Sequence, residues 1–263
     1  MIKDNVFVKR IIRLPIIKKI INGTINSFIY FFSLTFFIKD LEKFKKLNDS
    51  RFSVKIKDIY PCLKDRTIKT NFDKHYIYHT AWAARILSEV IPDRHIDISS
   101  SLYFSTLVSA FIPTDFYDYR TAEINLTNLN CKHANITTLP FKDSSVQSLS
   151  CMHVVEHIGL GRYGDSIDPI GDIKAVKELK RVLAKGGDLL FVVPVGKPRI
   201  FFNAHRVYSF QMVMEFFNDL ILKEFSLISG FSHNNYIIKN ATEEQVLEEN
   251  YGCGCFWFNK SNL

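Results

Sequence analysis

The sequence predicts an α/β protein with a doubly wound, mostly parallel sheet of seven strands, preceded by an N-terminal helical arm. Seven short runs of apolar or β-branched residues lie between residues 95 and 258, and helical patterns separate most of them. Strands that alternate with helices usually form parallel sheets that are covered on both faces. With 263 residues, 47% of them apolar, the chain is long enough to bury such a core.

The strands are predicted from these runs in chain order. They cover residues 95–98, 114–117, 132–134, 146–152, 189–195, 222–227 and 253–258. The fifth run, DLLFVVPV, is almost entirely apolar, which is typical of a strand buried on both faces. The last two runs, 222–227 and 253–258, are expected to close the sheet.

One helix is predicted before the fifth strand in chain order, and a second helix is predicted after it. The apolar face of the first helix is made of Ile173, Val176, Leu179 and Leu183. Asp172 is its expected N-cap, and the pair Gly186 and Gly187 is expected to end it. The second helix is predicted over residues 209–218.

The net charge of +7 is confined to the beginning of the chain. Residues 1–60 hold 13 Lys and Arg against 5 Asp and Glu, whereas residues 61–263 hold 21 against 22. A basic face over the whole molecule is therefore excluded, and nucleic acid is not an expected partner. We divide the chain into a basic, aromatic-rich helical arm, residues 1–70, and an α/β domain, residues 71–263.

Three interpretations of the arm remain open. The 19 residues from Ile20 to Ile38 carry no charge, which is the length of a membrane-spanning helix. However, polar residues interrupt this run, and Lys and Arg lie on both sides of it. Phe37, Leu41 and Phe44 continue an amphipathic pattern, which favours a helix that docks on the protein itself or on a membrane surface. We expect a cytoplasmic protein, with peripheral membrane contact through residues 1–60 as the alternative.

The cysteine pattern predicts reduced thiols and no metal site. The five cysteines are an odd number and include no CxxC pair, as expected for a cytosolic protein without a disulfide framework. Cys253 and Cys255 have ligand chemistry, but no partner residues lie near them in sequence. They are interpreted as ordinary strand residues.

The ligand edge of the predicted sheet carries acidic and hydroxyl side chains. In doubly wound sheets, ligands bind beyond the carboxyl ends of the strands. The first strand reaches Asp97 and runs into Ser99 and Ser101, and the second ends near Asp118, 21 residues after Asp97. This interval suits an acidic residue that binds ribose hydroxyls, although a solvated surface Asp118 is the alternative.

Six segments in chain order resemble class I S-adenosylmethionine-dependent methyltransferases. They are HIDISSS, the acid Asp118, NITTLPFKDSSVQSLS, CMHVVEHIGLGRYGD, ELKRVLAKGGDLLFVVPVG and GCFWF. The resemblance extends from about Arg94 to Lys260. Within it, the stretch around HVVEHIGLGRYGD also resembles a narrower family, a domain of unknown function with no established substrate.

The resemblance implies a set of cofactor residues for S-adenosylmethionine. They are Asp97, Ser99, Ser101, Asp118, Asn135, Ile136 and Met152. By this resemblance Asp97 and the turn after it would face the methionine part, Asp118 the ribose and Asn135 the adenine. Met152 and His153 would border the transferred methyl group.

The first turn departs from the family pattern. It is usually rich in glycine, because the backbone passes close to the cofactor, but Ser99, Ser101 and Tyr103 stand where glycines are expected. Serine is small and its hydroxyl can bond a carboxylate. Two hypotheses follow: a working site in altered form, or a methyltransferase-like fold that has lost the cofactor and serves as a binding or scaffold module.

The block His153-Val-Val-Glu156-His157 also fits H-x-x-E-H, a signature of zinc hydrolases. Its context argues against that chemistry, because the block leaves a strand and enters a glycine-rich loop, and no third ligand is evident. The favoured interpretation is structural: Glu156 and His157 bond backbone groups and hold the loop in shape.

The acceptor is expected to bind between two polar segments. The first contributes Arg162, Tyr163 and Asp165, and the second, after the fifth strand, contributes Asn203, His205 and Arg206. Both arginines can bind a phosphate or carboxylate in bidentate fashion, or can instead pair with Asp165 or Asp168.

The predicted function is methyl transfer to a small polar acceptor, such as a sugar or a phosphorylated glycan precursor. A hydroxyl acceptor needs a general base, and His205 is the first candidate and His153 the second.

Overall fold

The computed structural model describes residues 15–47, 51–230 and 237–262, with side chains from residue 30 onward. It divides into two compact units, Met1–Asn71 and Phe72–Leu263. In the first unit, helix α1 (Pro15–Leu47) is followed by a 3-10 turn at Ile56–Asp58. Arg66 forms an ion pair of 3.1 Å with Asp40, so the segment after α1 folds back beside it.

Among the described residues, none of the helices combines the length and apolar character needed to cross a membrane. The described part of α1 exposes large aromatic side chains, including Phe31 and Phe44. How the arm is used, on the protein or on a membrane surface, stays a prediction.

The second unit contains ten strands within the part that is described. They are β1 (His95–Ile98), β2 (Thr114–Asp118), β3 (Leu129–His133), β4 (Val146–Met152), β5 (Leu183–Val195), β6 (Arg199–Phe201), β7 (His205–Val207), β8 (Ile221–Ile228), β9 (Ile237–Lys239) and β10 (Gly252–Asn259). Its helices are α2 (Lys74–Val90), α3 (Leu102–Val108), α4 (Gly171–Val182), α5 (Phe210–Phe216) and α6 (Glu243–Glu248).

The main sheet has the strand order β3-β2-β1-β4-β5-β10-β8-β9, and β6 and β7 form a separate antiparallel pair. Strands β1 to β5 are parallel, whereas β10 lies antiparallel between β5 and β8. The predicted doubly wound, mostly parallel sheet of seven strands is confirmed. The short strand β9 adds an eighth at the edge, where it pairs antiparallel with β8.

The sheet separates two hydrophobic clusters, and β5 contributes to both. Phe191 and Val193 pack in the cluster that includes α4, α5 and α6, whereas Leu190 and Val192 pack in the cluster that includes α2 and α3. Successive side chains of a strand point to opposite faces, so an unbroken apolar run is needed where both faces are covered. Trp82 of α2 also donates a hydrogen bond of 2.8 Å to Glu224 of β8, which fixes that helix on the sheet.

The predicted bounds of the helix before β5 are wrong at both ends. Helix α4 ends at Val182, and β5 begins at Leu183, so the two glycines lie inside the strand. Gly187 occupies a narrow place there, because a Cβ would lie 2.9 Å from the carbonyl oxygen of Ala184. Asp172 is not the N-cap. It lies in the first turn and accepts a hydrogen bond of 3.0 Å from the hydroxyl of Tyr208.

A buried polar chain crosses from β1 to β4 and α3. The ring of His95 contacts the hydroxyls of Ser148 at 2.8 Å and Ser150 at 2.9 Å. Ser150 then donates to Asp97 at 2.7 Å, and Ser105 of α3 donates to the other carboxylate oxygen. Burial raises the pKa of Asp97 to about 6, although these hydroxyl bonds act in the opposite direction.

Asp97 gives a testable pH dependence of stability. Because its pKa is higher in the fold than in the unfolded chain, the folded state holds one more proton between about pH 4 and pH 6. That proton stabilises the fold at low pH, and the stabilisation is lost as the pH rises through 6. The free energy of unfolding of the wild type relative to Asp97→Asn should therefore rise by about 1 kcal/mol from pH 7 to pH 5. Urea unfolding measures both proteins at each pH, and a difference that does not change with pH would contradict the assignment.

Candidate functional site

A cavity of about 290 Å³ opens at the carboxyl ends of the parallel strands, and we call it the β1–β4 cavity. It is lined by the residues that follow β1, β2, β3 and β4 and by the loop after β4. Ser99, Asp118, Asn135 and Ile136 are part of its lining. Four of the seven cofactor residues that the sequence suggested are therefore brought together here.

The turn after β1 adopts a glycine-like backbone without glycine. Ser99 has a φ of +53°, its N–H donates to the carbonyl of Tyr117 at 2.8 Å, and its hydroxyl donates to the same carbonyl at 3.1 Å. The Ser100 hydroxyl accepts from the N–H of Met152 at 3.0 Å, which ties the turn to the end of β4. A left-handed serine costs roughly 1 kcal/mol, so the fold imposes this turn against local preference.

Two cavity residues have defined local bonds. Asp118 is half-buried, and one carboxylate oxygen accepts from the N–H of Arg120 at 2.7 Å. The side-chain oxygen of Asn135 accepts from the N–H of Thr137 at 3.0 Å and from its hydroxyl at 2.9 Å. Both side chains are thus oriented by the residues that follow them.

The other three expected cofactor residues do not line the cavity. Asp97 is fully buried and bonded to the serines of the polar chain. Met152 is buried in the cluster with α2 and α3, and Ser101 is the N-cap of α3. Direct contact of these three residues with a ligand stays a prediction, and the contacts of Asp97 and Met152 lie inside the fold.

The exit of β4 is organised by a buried histidine–glutamate pair. Nδ1 of His153 lies 2.8 Å from Oε1 of Glu156, and Nε2 of His153 lies 3.4 Å from Sγ of Cys253. Burial raises the pKa of Glu156 to about 7 and lowers that of His153 to about 4. His153 also has a φ of +58°, so an unusual backbone conformation lies at the junction of strand and loop.

The H-x-x-E-H block does not form the helix of a zinc hydrolase. It forms a 3-10 turn, Val155–His157, and its two histidines have different partners. Nδ1 of His157 donates to the carbonyl of Ala204 at 2.5 Å, in agreement with the structural interpretation. Glu156 agrees with that interpretation in part, because its carboxylate accepts from its own backbone N–H and also contacts His153 at 2.8 Å.

Asp165 holds the loop after β4 in shape. Its carboxylate accepts from the N–H groups of Gly159 at 2.8 Å, Gly161 at 3.4 Å and Tyr163 at 3.2 Å. Burial alone would raise the pKa of Asp165, but these N–H groups lower it below its ordinary value. Among the described contacts, Arg162 pairs with neither Asp165 nor Asp168 and donates to the carbonyl of Ala204 at 3.3 Å, whereas Arg206 does form an Arg–Asp pair, with Asp172.

A second cavity, of about 470 Å³, lies beside the first, and we call it the histidine cavity. It is lined by Asp73, Lys74, His75, Tyr76, His153, Glu156, His157, Arg162, Tyr163, His205, Gly230 and Tyr251. The ring centroid of His205 lies 5.1 Å from that of Tyr251. Burial lowers the pKa of His205, so its ring is neutral at pH 7 and has a lone pair for a proton.

Arg206 has a different place from the one expected. It is buried, and its guanidinium donates to the carbonyls of Ile158 at 2.7 Å and Pro169 at 3.4 Å and lies 3.5 Å from Asp172. These contacts brace the loop after β4, so Arg206 has a structural position instead of an acceptor-binding one. Asn203 is exposed, has a φ of +61° and donates to the carbonyl of Leu160 at 3.4 Å.

The two cavities share three lining residues, His153, His157 and Tyr163. These residues form the boundary between a cavity that carries Asp118 and Asn135 and a cavity that carries His205. A ligand in one cavity and a ligand in the other would therefore meet at the exit of β4.

The contribution of α2 to the site was not predicted from the sequence. His75 lines the histidine cavity, and its ring stacks at centroid distances of 5.8 Å on His153 and 5.1 Å on Tyr251. Burial lowers the pKa of His75 to about 4. The available signal was the spacing of His75 and His79, which lie four apart and so on one face of a helix that Asp73 caps.

A family model described as a Caenorhabditis protein of unknown function, DUF268, matches residues 110–251. Among curated proteins, none matches the chain. Both cavities draw most of their lining residues from the matched region.

Solved structures with the same fold include several methyltransferases. The N-methyltransferase NodS from Bradyrhizobium japonicum, in complex with S-adenosylhomocysteine, is 13% identical with a TM-score of 0.50, covering 72% of this chain and 89% of NodS. The 1,6-didemethyltoxoflavin-N1-methyltransferase from Burkholderia thailandensis is 9% identical with a TM-score of 0.50, covering 70% and 79%. YcgJ from Bacillus subtilis is 15% identical with a TM-score of 0.50, covering 71% of this chain and all of YcgJ. The chain therefore has the fold of class I S-adenosylmethionine-dependent methyltransferases.

Two glycines of the loop after β4 provide a matched pair of variants. Gly159 and Gly164 have similar φ values, +79° and +83°, but a Cβ on Gly159 would lie 2.0 Å from the carbonyl oxygen of Asp168, whereas nothing lies within 4 Å of one on Gly164. We expect Gly164→Ala to cost about 1 kcal/mol of stability, and Gly159→Ala about 3 kcal/mol or more. Urea unfolding measures both, and equal losses would show that the loop does not pack as described.

Proposed function

The chain belongs to the DUF268 family, and we propose that it transfers a methyl group from S-adenosylmethionine to a small polar acceptor, such as a sugar or a phosphorylated glycan precursor. The observation that carries the proposal is the meeting of two cavities at His153, at the ligand edge of a methyltransferase-type sheet. Methyl transfer needs two ligands held in line, one on each side of the reacting atom.

The residues of the β1–β4 cavity fit an adenosine group. Asp118, at the end of β2, offers carboxylate oxygens to ribose hydroxyls, and Asn135 and Ile136 follow β3, where a base would lie. The cavity volume of about 290 Å³ is near the lower end of the range for small-molecule sites. When bound, S-adenosylmethionine supplies an electrophilic methyl group on a sulfonium sulfur.

The first turn also fits such a ligand despite its serines. Ser99 keeps the left-handed backbone that the missing glycine would provide, and its hydroxyl is turned back to the carbonyl of Tyr117. This arrangement supports a working turn in altered form, because the serine side chain is bonded within the protein.

The histidine cavity has the groups that a hydroxyl acceptor needs. His205 is neutral at pH 7 and accepts the acceptor's proton at an imidazole nitrogen as the new bond to carbon forms. Arg162 and Tyr163 line the same cavity and offer hydrogen bonds to a sugar or a phosphate group. His153 has both ring nitrogens in contact with Glu156 and Cys253, which leaves His205 as the better base.

The second candidate is a methyltransferase-like fold without cofactor that serves as a binding or scaffold module. The absence of glycine at Ser99 and Ser101 favours it. Direct measurement of cofactor binding separates the two candidates.

Isothermal titration of the full chain with S-adenosylmethionine tests the cofactor site. We expect micromolar binding by the wild type and an affinity at least about 10-fold lower for Asp118→Asn, because an amide replaces a carboxylate that can accept from both ribose hydroxyls. Asp93→Asn is the matched control, since Asp93 lies before β1 and lines a different cavity at the opposite edge of the sheet. It should bind like the wild type.

The outcome that would contradict this proposal is a folded protein that does not bind at millimolar cofactor. In that case, the cofactor affinity of the double variant Ser99→Gly, Ser101→Gly shows whether the serines caused the loss of binding. Affinity gained in this variant would indicate a degenerate site and the scaffold module, whereas a working serine turn predicts no gain.

The role of His205 is tested by transfer from tritiated S-adenosylmethionine to the small-molecule fraction of a cell extract. His205→Gln should lower the rate of label transfer by about 100-fold or more and leave the dissociation constant of the cofactor unchanged, since His205 does not line the β1–β4 cavity. An unchanged transfer rate would remove His205 from the mechanism.

A further inference from the structure

Three metal-ligand side chains converge beside the histidine cavity. His75, His153 and Cys253 each offer one ligand atom, and these atoms lie within 4.8 Å of one another. We propose that these residues bind a divalent cation of the zinc type, which no feature of the methyltransferase fold requires. The proposal holds whether or not the chain binds S-adenosylmethionine.

The distance between two of the ligand atoms already suits tetrahedral zinc. Nε2 of His153 and Sγ of Cys253 are 3.4 Å apart. With Zn–N near 2.05 Å and Zn–S near 2.3 Å, that separation corresponds to an N–Zn–S angle of about 103°. The ligand atom of His75, in the first turn of α2, lies within 4.8 Å of the other two, so a side-chain movement of up to about 1.5 Å would bring it to the separation of about 3.4 Å that a tetrahedral site needs.

Glu156 orients the ring of His153 for metal binding. Oε1 of Glu156 lies 2.8 Å from Nδ1 of His153, so the ionised carboxylate accepts from Nδ1–H and leaves the lone pair of Nε2 facing Cys253. Metal-bound histidines usually have such a carboxylate on the other ring nitrogen, which fixes the tautomer and the orientation of the ring. Glu156 is therefore a positioning residue for the proposed site.

A third imidazole gives an independent indication. His79 is fully buried, and its Nε2 has no hydrogen-bond partner among the described residues. Its Nδ1 lies 2.6 Å from the carbonyl of His75, so Nε2 carries the lone pair. The His79 ring lies 5.0 Å from the ring of His153, one helical turn from His75. A buried lone pair without a donor is costly, and a cation or its bound water in this cluster would relieve that cost.

The donor set selects the kind of metal. Two imidazoles and one thiolate suit zinc, and carboxylate-preferring ions such as magnesium and calcium do not bind such a set well. Three protein ligands leave a fourth position for water or for an acceptor atom, as in catalytic zinc sites. His75 and His153 both line the histidine cavity, so the open position would face it. On binding, the Cys253 thiol loses one proton to solvent.

Titration of the metal-free full chain with Zn²⁺ tests the site. We expect one ion per chain with a dissociation constant below micromolar. His153→Ala and Cys253→Ala should weaken binding by about 100-fold or more, and Glu156→Gln by about 10- to 100-fold, because it removes the charge that orients His153. Cys131→Ala and His133→Ala are matched controls: Cys131 is half-buried in β3, and His133 is exposed at the end of the same strand. Both should bind like the wild type.

Co²⁺ provides a second readout that needs no variant to fold. A thiolate ligand gives cobalt an intense charge-transfer absorption in the near ultraviolet, so the wild type should show this band at one equivalent, and Cys253→Ala should not. The absence of the band in the wild type, or equal losses of Zn²⁺ affinity in Cys253→Ala and Cys131→Ala, would overturn the proposal. Loss of S-adenosylmethionine binding would leave it unaffected.

Discussion

The buried contact between Glu156 and His153 is the interaction on which the arrangement of the ligand edge depends. A carboxyl group that is 1% exposed is stable only if its neighbours compensate for lost water, and here the nearest compensation is an imidazole at 2.8 Å. The pair holds His153 against the end of β4 with a left-handed backbone. Because that ring separates the two cavities, the position of one side chain determines what each cavity can hold.

Hydrogen bonds from several parts of the chain hold the backbone around this pair in place. Arg206 donates to the carbonyl of Ile158, and Asp165 accepts from N–H groups of the glycine-rich loop. These bonds satisfy polar groups of the backbone after β4. On the other side, Ser100 accepts from Met152 and connects the first turn to the same strand end. The residues that resemble ligand contacts in the sequence thus divide into those that reach a cavity, such as Asp118, and those that support the backbone, such as Asp97 and Arg206.

Much of the fold could be predicted from the sequence because its signals are local. The run DLLFVVPV needs apolar residues on both faces of one strand, and Phe191 and Val192 do pack on opposite sides. The strand ends were also predictable, and with them Asp118 and Asn135, because parallel strands bring their carboxyl ends to one edge. The boundary between α4 and β5 was not, since glycines that commonly end helices here lie in a strand where a Cβ would meet a backbone carbonyl.

The rest of the site depends on contacts between distant parts of the chain. His75, His153 and Cys253 come together because α2 packs on the face of the sheet to which Cys253 points, and because β10 enters antiparallel beside β5 so that Cys253 lies near the exit of β4. Sequence spacing does not predict contacts between residues so far apart in the chain, and each of these residues alone is an ordinary histidine or cysteine. Two of the seven left-handed residues other than glycine in the described part of the chain, Ser99 and His153, follow the neighbouring strands β1 and β4. Each costs about 1 kcal/mol, and both border the β1–β4 cavity, so the core maintains strain where a ligand would bind.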